Sequence, residues 1–256
     1  MSTDVAAIIP AAGAGRRLGG SARKPFVLLS GVPLLMHTLR AFQESPAVRW
    51  IIPVVRSGEE ARVARLTRRY RITKSLPPRV GGRSRAESVA NGFAALPREA
   101  AWVLIHDGGR PCVRGRLIDQ AIRSAKRHGA VACGLPASLT VKAVDDTGGV
   151  RLTLDREHLW FVQTPQVFRR DWLTQALQRA CLRPAGRRGR QVNGTLQQFP
   201  DDAAILESAG FHVHMMRGDP LNIKVTTKED VLLAETILRV RGSRLTVQGK
   251  SLEPRT

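Results

Sequence analysis

The first hydrophobic run, Val5-Ala-Ala-Ile-Ile-Pro10, shows no alternation of apolar and polar positions. Such a run fits a strand covered on both faces, as in a parallel sheet. Val48 to Val55 and Trp102-Val-Leu-Ile105 repeat the pattern, and Ala130 to Leu135 is apolar again. Between them the spacing changes to that of helices. Leu35, Leu39 and Phe42 share one side of Pro33–Gln43, and another helix starts near Gly58. Val89, Phe93 and Leu96 line Ser84–Leu96, and Arg116–His128 is helical as well. Strands that alternate with helices predict an α/β fold with a mainly parallel sheet and right-handed crossovers.

The rhythm breaks between Thr140 and Leu154. Val141 and Ala143 on one side and Val150, Leu152 and Leu154 on the other flank Asp145-Asp-Thr-Gly-Gly149, a turn signal. This predicts a β-hairpin arm over about 138–156 that can pair with a second subunit. Helices follow at Asp171–Leu182 and Asp201–Ala209, and Thr227 caps a last one with Asp230 as its partner three residues on. There is no repeat and no obligatory linker, so residues 1–241 read as one domain and 242–256 as a basic, flexible tail.

Composition narrows the setting. No apolar run approaches the roughly 20 residues of a membrane helix, and Val5–Ala12 leads into Gly13-Ala14-Gly15 without a signal-peptide pattern. We expect a soluble cytoplasmic protein with no membrane partner. Cys112, Cys133 and Cys181 form no CxxC pair and read as buried thiols. The net charge of +20 favours anionic partners. Much of it sits at Arg62, Arg65, Arg68 and Arg69, in the Arg183–Arg190 segment and in the tail. No aromatic residues interleave these clusters, so solvated faces are the preferred reading and nucleic acid is not the expected partner.

The candidate chemistry starts directly after the first strand, at Pro10-Ala-Ala-Gly-Ala-Gly-Arg-Arg17. Small residues let backbone N–H groups approach a polyphosphate, and Arg17 adds charge. The segment lacks the Gly-Lys-Ser/Thr of a Walker loop and the third glycine of a dinucleotide fingerprint. Lys24 follows within reach, one of only seven lysines among 41 basic residues. Gly81-Gly-Arg-Ser-Arg-Ala-Glu-Ser88 is a second glycine turn, either a nucleobase contact or an ordinary helix cap. Asp107 stands at the carboxyl end of the Trp102–Ile105 strand, where open α/β sheets bind ligands. It can hold a hard cation or simply close a turn. Lys224 can close the site from the other side, and Arg156 and Thr164 can grip a second phosphate.

Taken in order, AAGAGRR, Lys24, GGRSRAESV, His106-Asp107-Gly-Gly-Arg110-Pro111, Asp155-Arg156, Thr164-Pro-Gln166 and Asn222-Ile-Lys-Val-Thr226 resemble the 2-C-methyl-D-erythritol 4-phosphate cytidylyltransferases of the non-mevalonate isoprenoid pathway. The resemblance runs from about Val5 to Leu238. It implies a Rossmann-like nucleotidyltransferase fold whose protruding β-arm builds a homodimer, with CTP and a polyol phosphate as substrates. It further implies that Ala11, Ala12, Gly13 and Gly15 hold the nucleotide's phosphates, with Gly82 and Ser88 facing cytosine. Arg17, Lys24, Arg156 and Lys224 become catalytic cations, and Arg110, Thr140 and Thr164 contact the acceptor. Asp107 becomes the Mg²⁺ ligand. A ribitol 5-phosphate cytidylyltransferase is the nearest alternative, since the nucleotide loop cannot separate the two acceptors.

The sequence departs from the family pattern in places. Arg23 precedes Lys24 where proline is common, Gly108-Gly109 replaces two alanines, and Pro200-Asp-Asp-Ala203 replaces Thr-Asp-Glu/Asp-Ala.

Overall fold

The computed structural model describes residues 4–13, 15, 23–182 and 199–246. The expectations for Arg17, for the Arg183–Arg190 segment and for the tail beyond 246 lie outside these residues. Seven strands form the main sheet. They are β1 (Val5–Pro10), β4 (Val48–Val55), β5 (Arg79–Val80), β6 (Trp102–Ile105), β7 (Ala130–Pro136), β10 (Trp160–Arg169) and β11 (His214–Arg217). Two further pairs stand apart, β2 (Leu28–Leu29) with β3 (Val32–Pro33), and β8 (Val141–Val144) with β9 (Val150–Leu154). The main sheet runs β11-β7-β10-β6-β1-β4-β5.

β1 is flanked by β4 and β6, both parallel to it, and this explains its unbroken apolar sequence. Val5, Ala7 and Ile9 face one layer of helices, α1 (Leu34–Glu44), α2 (Glu60–Arg69) and α4 (Gly115–His128). Ala6 and Ile8 face the other layer, α3 (Arg85–Ala94), α5 (Arg170–Leu182) and α6 (Asp202–Ser208). The period of two along the strand thus feeds two separate cores. The last helix, α7 (Lys228–Thr246), packs Ala234 and Ile237 against Leu29, Leu34, Cys112 and Val225 in a third cluster. It continues past Gly242, where the tail was expected to begin.

β10 is the strand that the hydrophobic pattern does not announce. It runs antiparallel to both its neighbours, β6 and β7, so the sheet is mixed at its centre and parallel elsewhere. Gln163, Thr164 and Gln166 are buried in its middle, which hides it from a search for apolar runs. Pro165 falls where the pairing with β7 shifts register, between Val162 and Gln166, a place that tolerates a missing N–H.

Local chemistry fixes the helix ends. α4 stops at Gly129, with φ of 83°, whose N–H reaches the carbonyl of Ala125 at 2.7 Å. A side chain there would also strike Trp172, since its Cβ would lie 2.3 Å from the indole. α3 opens with an N-cap: Ser84 accepts from the Glu87 N–H at 3.0 Å, while Glu87 reaches back to accept from the N–H of Arg83, just before the cap, at 2.8 Å. Between Ala137 and Leu159 the chain leaves the sheet, and β8 and β9 pair only with each other. Cys112 and Cys133 are buried thiols, and burial pushes them up to about 11 and about 12.

Candidate active site

The carboxyl ends of β1 and β6 open into a cavity of about 530 Å³. It is lined by Pro10 to Gly13, by Gly15 and Lys24, and by Gly82 to Arg85. Asp107 to Gly109, Lys224 and Thr226 line it as well. This is where an open α/β sheet presents its strand ends and helix N-termini to a ligand. The cavity therefore brings together Ala11, Ala12, Gly13, Gly15, Lys24, Gly82, Ser88, Asp107 and Lys224, all singled out from the sequence.

Gly15 has φ of 64°, a conformation that favours glycine, and a Cβ there would touch Lys24 Cβ at 3.0 Å. At its other end the Lys24 side chain lies over Gly109, where a Cβ would meet Nζ at 2.5 Å. Lys24 thus runs between the two glycine turns. Ser88 is buried; its hydroxyl accepts from the Gly82 N–H at 3.1 Å and donates to the Ser84 carbonyl at 2.9 Å. In this state it shapes the Gly81-Gly82 turn.

Asp107 is the electrostatic centre. Lys224 Nζ lies 2.8 Å from Oδ2, Arg85 Nε 3.0 Å from Oδ1, and Arg110 Nε 3.7 Å from Oδ2. Burial by itself would raise its pKa, but Arg85 first, then Lys224 and Arg110, hold it well below the usual carboxylate range. These three cations favour its ionised form.

Thr164 and Arg110 stand behind Asp107 rather than in the cavity. The Thr164 hydroxyl accepts from the Asp107 N–H at 3.1 Å and meets His106 Nδ1 at 3.0 Å. His106 Nε2 faces the Arg110 carbonyl at 3.3 Å, a group that can only accept. Nε2 therefore carries the imidazole hydrogen, and Nδ1 accepts from Thr164. Burial lowers the pKa of His106 to about 3, so the ring is neutral. Arg110 donates from Nη1 to the Asn222 carbonyl at 2.7 Å, and Asn222 donates to the Thr164 carbonyl at 2.7 Å. These bonds tie the Lys224 segment to β10. Thr140 and Arg156 are exposed at the base of the β8–β9 hairpin and line no part of the cavity; Arg156 donates to the Ser138 carbonyl at 2.6 Å.

Two residues that sequence reasoning missed join this centre. Arg85 lines the cavity and also reaches Asp202 Oδ2 with Nη2 at 2.8 Å. Arg85 sits in the GGRSRAES turn and Asp202 in the Pro200-Asp-Asp-Ala203 segment, and only the fold shows that they touch.

Among the described residues, Asp107 is the only carboxylate that lines the cavity, and no group of three or more metal-ligating side chains occurs. A single ionised carboxylate still suits Mg²⁺, which keeps waters and takes substrate phosphates as its other ligands.

The sequence model of the 2-C-methyl-D-erythritol 4-phosphate cytidylyltransferase family matches residues 5–240. The chain is 39% identical over 247 residues to the protein of that name from Pelotomaculum thermopropionicum, covering 96% of this chain and 98% of the relative. A similar relative from Syntrophus aciditrophicus is 36% identical over 96% of this chain and 100% of its own. Among solved structures, the 4-diphosphocytidyl-2C-methyl-D-erythritol synthase of Anaerococcus prevotii superposes with a TM-score of 0.77 at 26% identity, covering 92% of this chain and 96% of its own. The 2-C-methyl-D-erythritol 4-phosphate cytidylyltransferase of Thermus thermophilus gives a TM-score of 0.71 at 28% identity over 92% and 99%.

Proposed function

The chain belongs to the 2-C-methyl-D-erythritol 4-phosphate cytidylyltransferase family, and from that premise we infer that it transfers the cytidylyl group of CTP to 2-C-methyl-D-erythritol 4-phosphate with release of pyrophosphate. The observation that carries the reading is the convergence of a glycine loop, Lys24, Asp107 and Lys224 on one cavity.

The acceptor's phosphate oxygen attacks the α-phosphorus of CTP in line. That nucleophile is already anionic, so no general base is needed. The work of the protein is to bring two polyanions together and to stabilise charge on the phosphoryl oxygens. The Ala11–Gly15 main chain receives the triphosphate, while Gly82 and Ser88 frame the base. Lys24, with Arg17, neutralises the phosphates where charge builds up. Lys224, at the mouth beside Asp107, is available to the acceptor's phosphate. Arg110 and Thr164 keep that corner in shape from behind. Mg²⁺ belongs to the same reading: Asp107 would hold it, and its chemistry is to draw charge from the phosphate oxygens.

A homodimer is part of the proposal. Val144, Val150, Leu152, Phe161 and Val162 are large apolar side chains left exposed on and beside the hairpin, as at a contact surface. Thr140 and Arg156, remote from their own cavity, would then serve the acceptor end of the partner's site. A cytoplasmic place follows from the substrates, two polyanions that do not cross a bilayer unaided. Among the described residues, no helix is long and apolar enough to span a membrane.

Pyrophosphate release with CTP and Mg²⁺ tests the assignment, with methylerythritol 4-phosphate and ribitol 5-phosphate offered separately. Turnover is expected with the first. Turnover with ribitol 5-phosphate alone overturns the acceptor, and silence with both overturns the reaction.

A further inference from the structure

Arg85 holds two carboxylates at once. Its Nε lies 3.0 Å from Asp107 Oδ1 in the cavity and its Nη2 lies 2.8 Å from Asp202 Oδ2 outside it. A guanidinium is planar and presents its donors in a rigid fork, so fixing one nitrogen aims the next. We propose that Asp202 is a positioning residue of cytidylyl transfer, acting through Arg85 on the Asp107 carboxylate. The proposal rests on the cytidylyltransferase reading above.

Asp202 is fully buried, and among the described residues its carboxylate has the Arg85 ion pair, with neither oxygen in a hydrogen bond. A buried carboxylate with one partner is a poor way to stabilise a fold, because its lost hydration offsets much of the attraction. An apolar residue of similar volume serves packing better. The anchor point is nonetheless tightly held. Asp201 caps α6 by accepting from the Ala204 N–H at 2.9 Å. Gln166 of β10 donates to Asp201 Oδ2 at 3.0 Å and accepts from the Ala203 N–H at 3.0 Å. Asp202 therefore sits on a helix end clasped from both sides.

The other partners of Asp107 are less constant. Lys224 has a side chain 42% exposed and is the group that an incoming phosphate would draw away. Arg110 is farther off at 3.7 Å, and its Nη1 is committed to Asn222. While Lys224 is engaged with the acceptor, the Arg85–Asp202 pair keeps the Asp107 carboxylate aimed.

Asp202→Asn, close in size and without charge, is the first variant. Wild-type turnover is measured beforehand; its absence fails the functional reading, whereas a variant with full turnover fails only this proposal. We expect kcat to fall about 10–100-fold, as for the loss of an outer partner of a site ligand, with KM for CTP little changed. Arg85→Lys keeps the charge and loses the fork, so it should lose kcat similarly. The double variant should be no worse than the worse single. A lowered Tm with wild-type kcat, measured where the variant is still folded, makes Asp202 a structural residue and overturns the proposal. A double-variant loss equal to the product of the singles also overturns it. If Asp202→Asn does not fold, an unchanged kcat in Arg85→Lys does so instead.

Discussion

Lys224 Nζ lies 2.8 Å from Asp107 Oδ2, an exposed ammonium in front of a buried carboxylate. The pair joins the chain segment before α7 to the end of β6 across the mouth of the cavity. Removing the lysine leaves Asp107 with Arg85 and Arg110, so the carboxylate stays ionised. Lys224→Ala should therefore spare CTP binding while kcat/KM for the polyol phosphate falls about 10²–10³-fold. Steady-state pyrophosphate release at varied acceptor, with calorimetry for CTP, reads both. Weakened CTP binding with an unchanged acceptor KM would place Lys224 on the wrong substrate.

Lys24 runs along the cavity from Gly15 to Gly109, and in the proposed reaction its charge serves the triphosphate. Lys24→Ala should lower kcat by about 10²–10³, equivalent to about 3–4 kcal/mol of transition-state stabilisation. A raised KM for CTP with kcat intact would show a residue that binds substrate and transition state equally.

His106 gives a pH signature. Its folded pKa of about 3 lies below its ordinary value of 6.5. Between those values the unfolded chain binds a proton that the folded one refuses, so stability falls as pH drops through that window. Asp107 has the same sign, but its contribution is intact down to ordinary carboxylate values and is lost only at stronger acid. His106→Gln should flatten the decline between pH 7 and 5 by up to about 1.4 kcal/mol per pH unit. His37 and His214, also lowered by burial, keep part of the slope. Urea unfolding at several pH values is the measurement, and identical slopes for variant and wild type would refute it.

Gly92 lies where α3 crosses β1 and β4, and a Cβ there would come within 2.6 Å of Ile8 and 2.9 Å of Val54. Alanine gains about 1 kcal/mol of helix propensity. Overpacking of a filled core costs about 1–3 kcal/mol. Both branched partners are fully buried in strands and cannot step aside, so the clash should win. Gly92→Ala is expected to lower the urea midpoint; a raised midpoint would mean that helix and sheet can part at no cost.

The hairpin predicts an assembly. Leu152→Arg puts a charge on its exposed apolar face and should weaken self-association by about 2 kcal/mol or more. Sedimentation should show monomer, and transfer should fall while CTP binding persists, if Thr140 and Arg156 serve a second site as proposed. A monomeric variant with full turnover would show that each chain works alone.

The sheet was legible where its strands are covered on both faces. β1, β4 and β6 run between the limits that their apolar runs suggest, because two-sided burial writes itself into consecutive residues. β10 was hidden since its interior positions hold Gln163, Thr164 and Gln166, which serve Asp219, His106 with Asp107, and α6 rather than an apolar core. The cavity residues on glycine turns and strand ends were readable from local sequence. What lies behind them was not: Arg85 and Asp202 meet only because α3 and α6 share one side of the sheet, and no local pattern records such a meeting.

The antiparallel β10 also orders the way this chain can be made. It is the only strand that hydrogen-bonds β6 to β7 among the described residues, so in a nascent or cleaved chain that ends before Trp160 the two halves of the sheet are not joined by strand pairing. Both β6 and β7 would then present bare, apolar edges of the kind that recruit strands from other molecules. Closing the centre is thus a late, long-range event in folding. Interrupted synthesis of this protein should give aggregates rather than a working fragment.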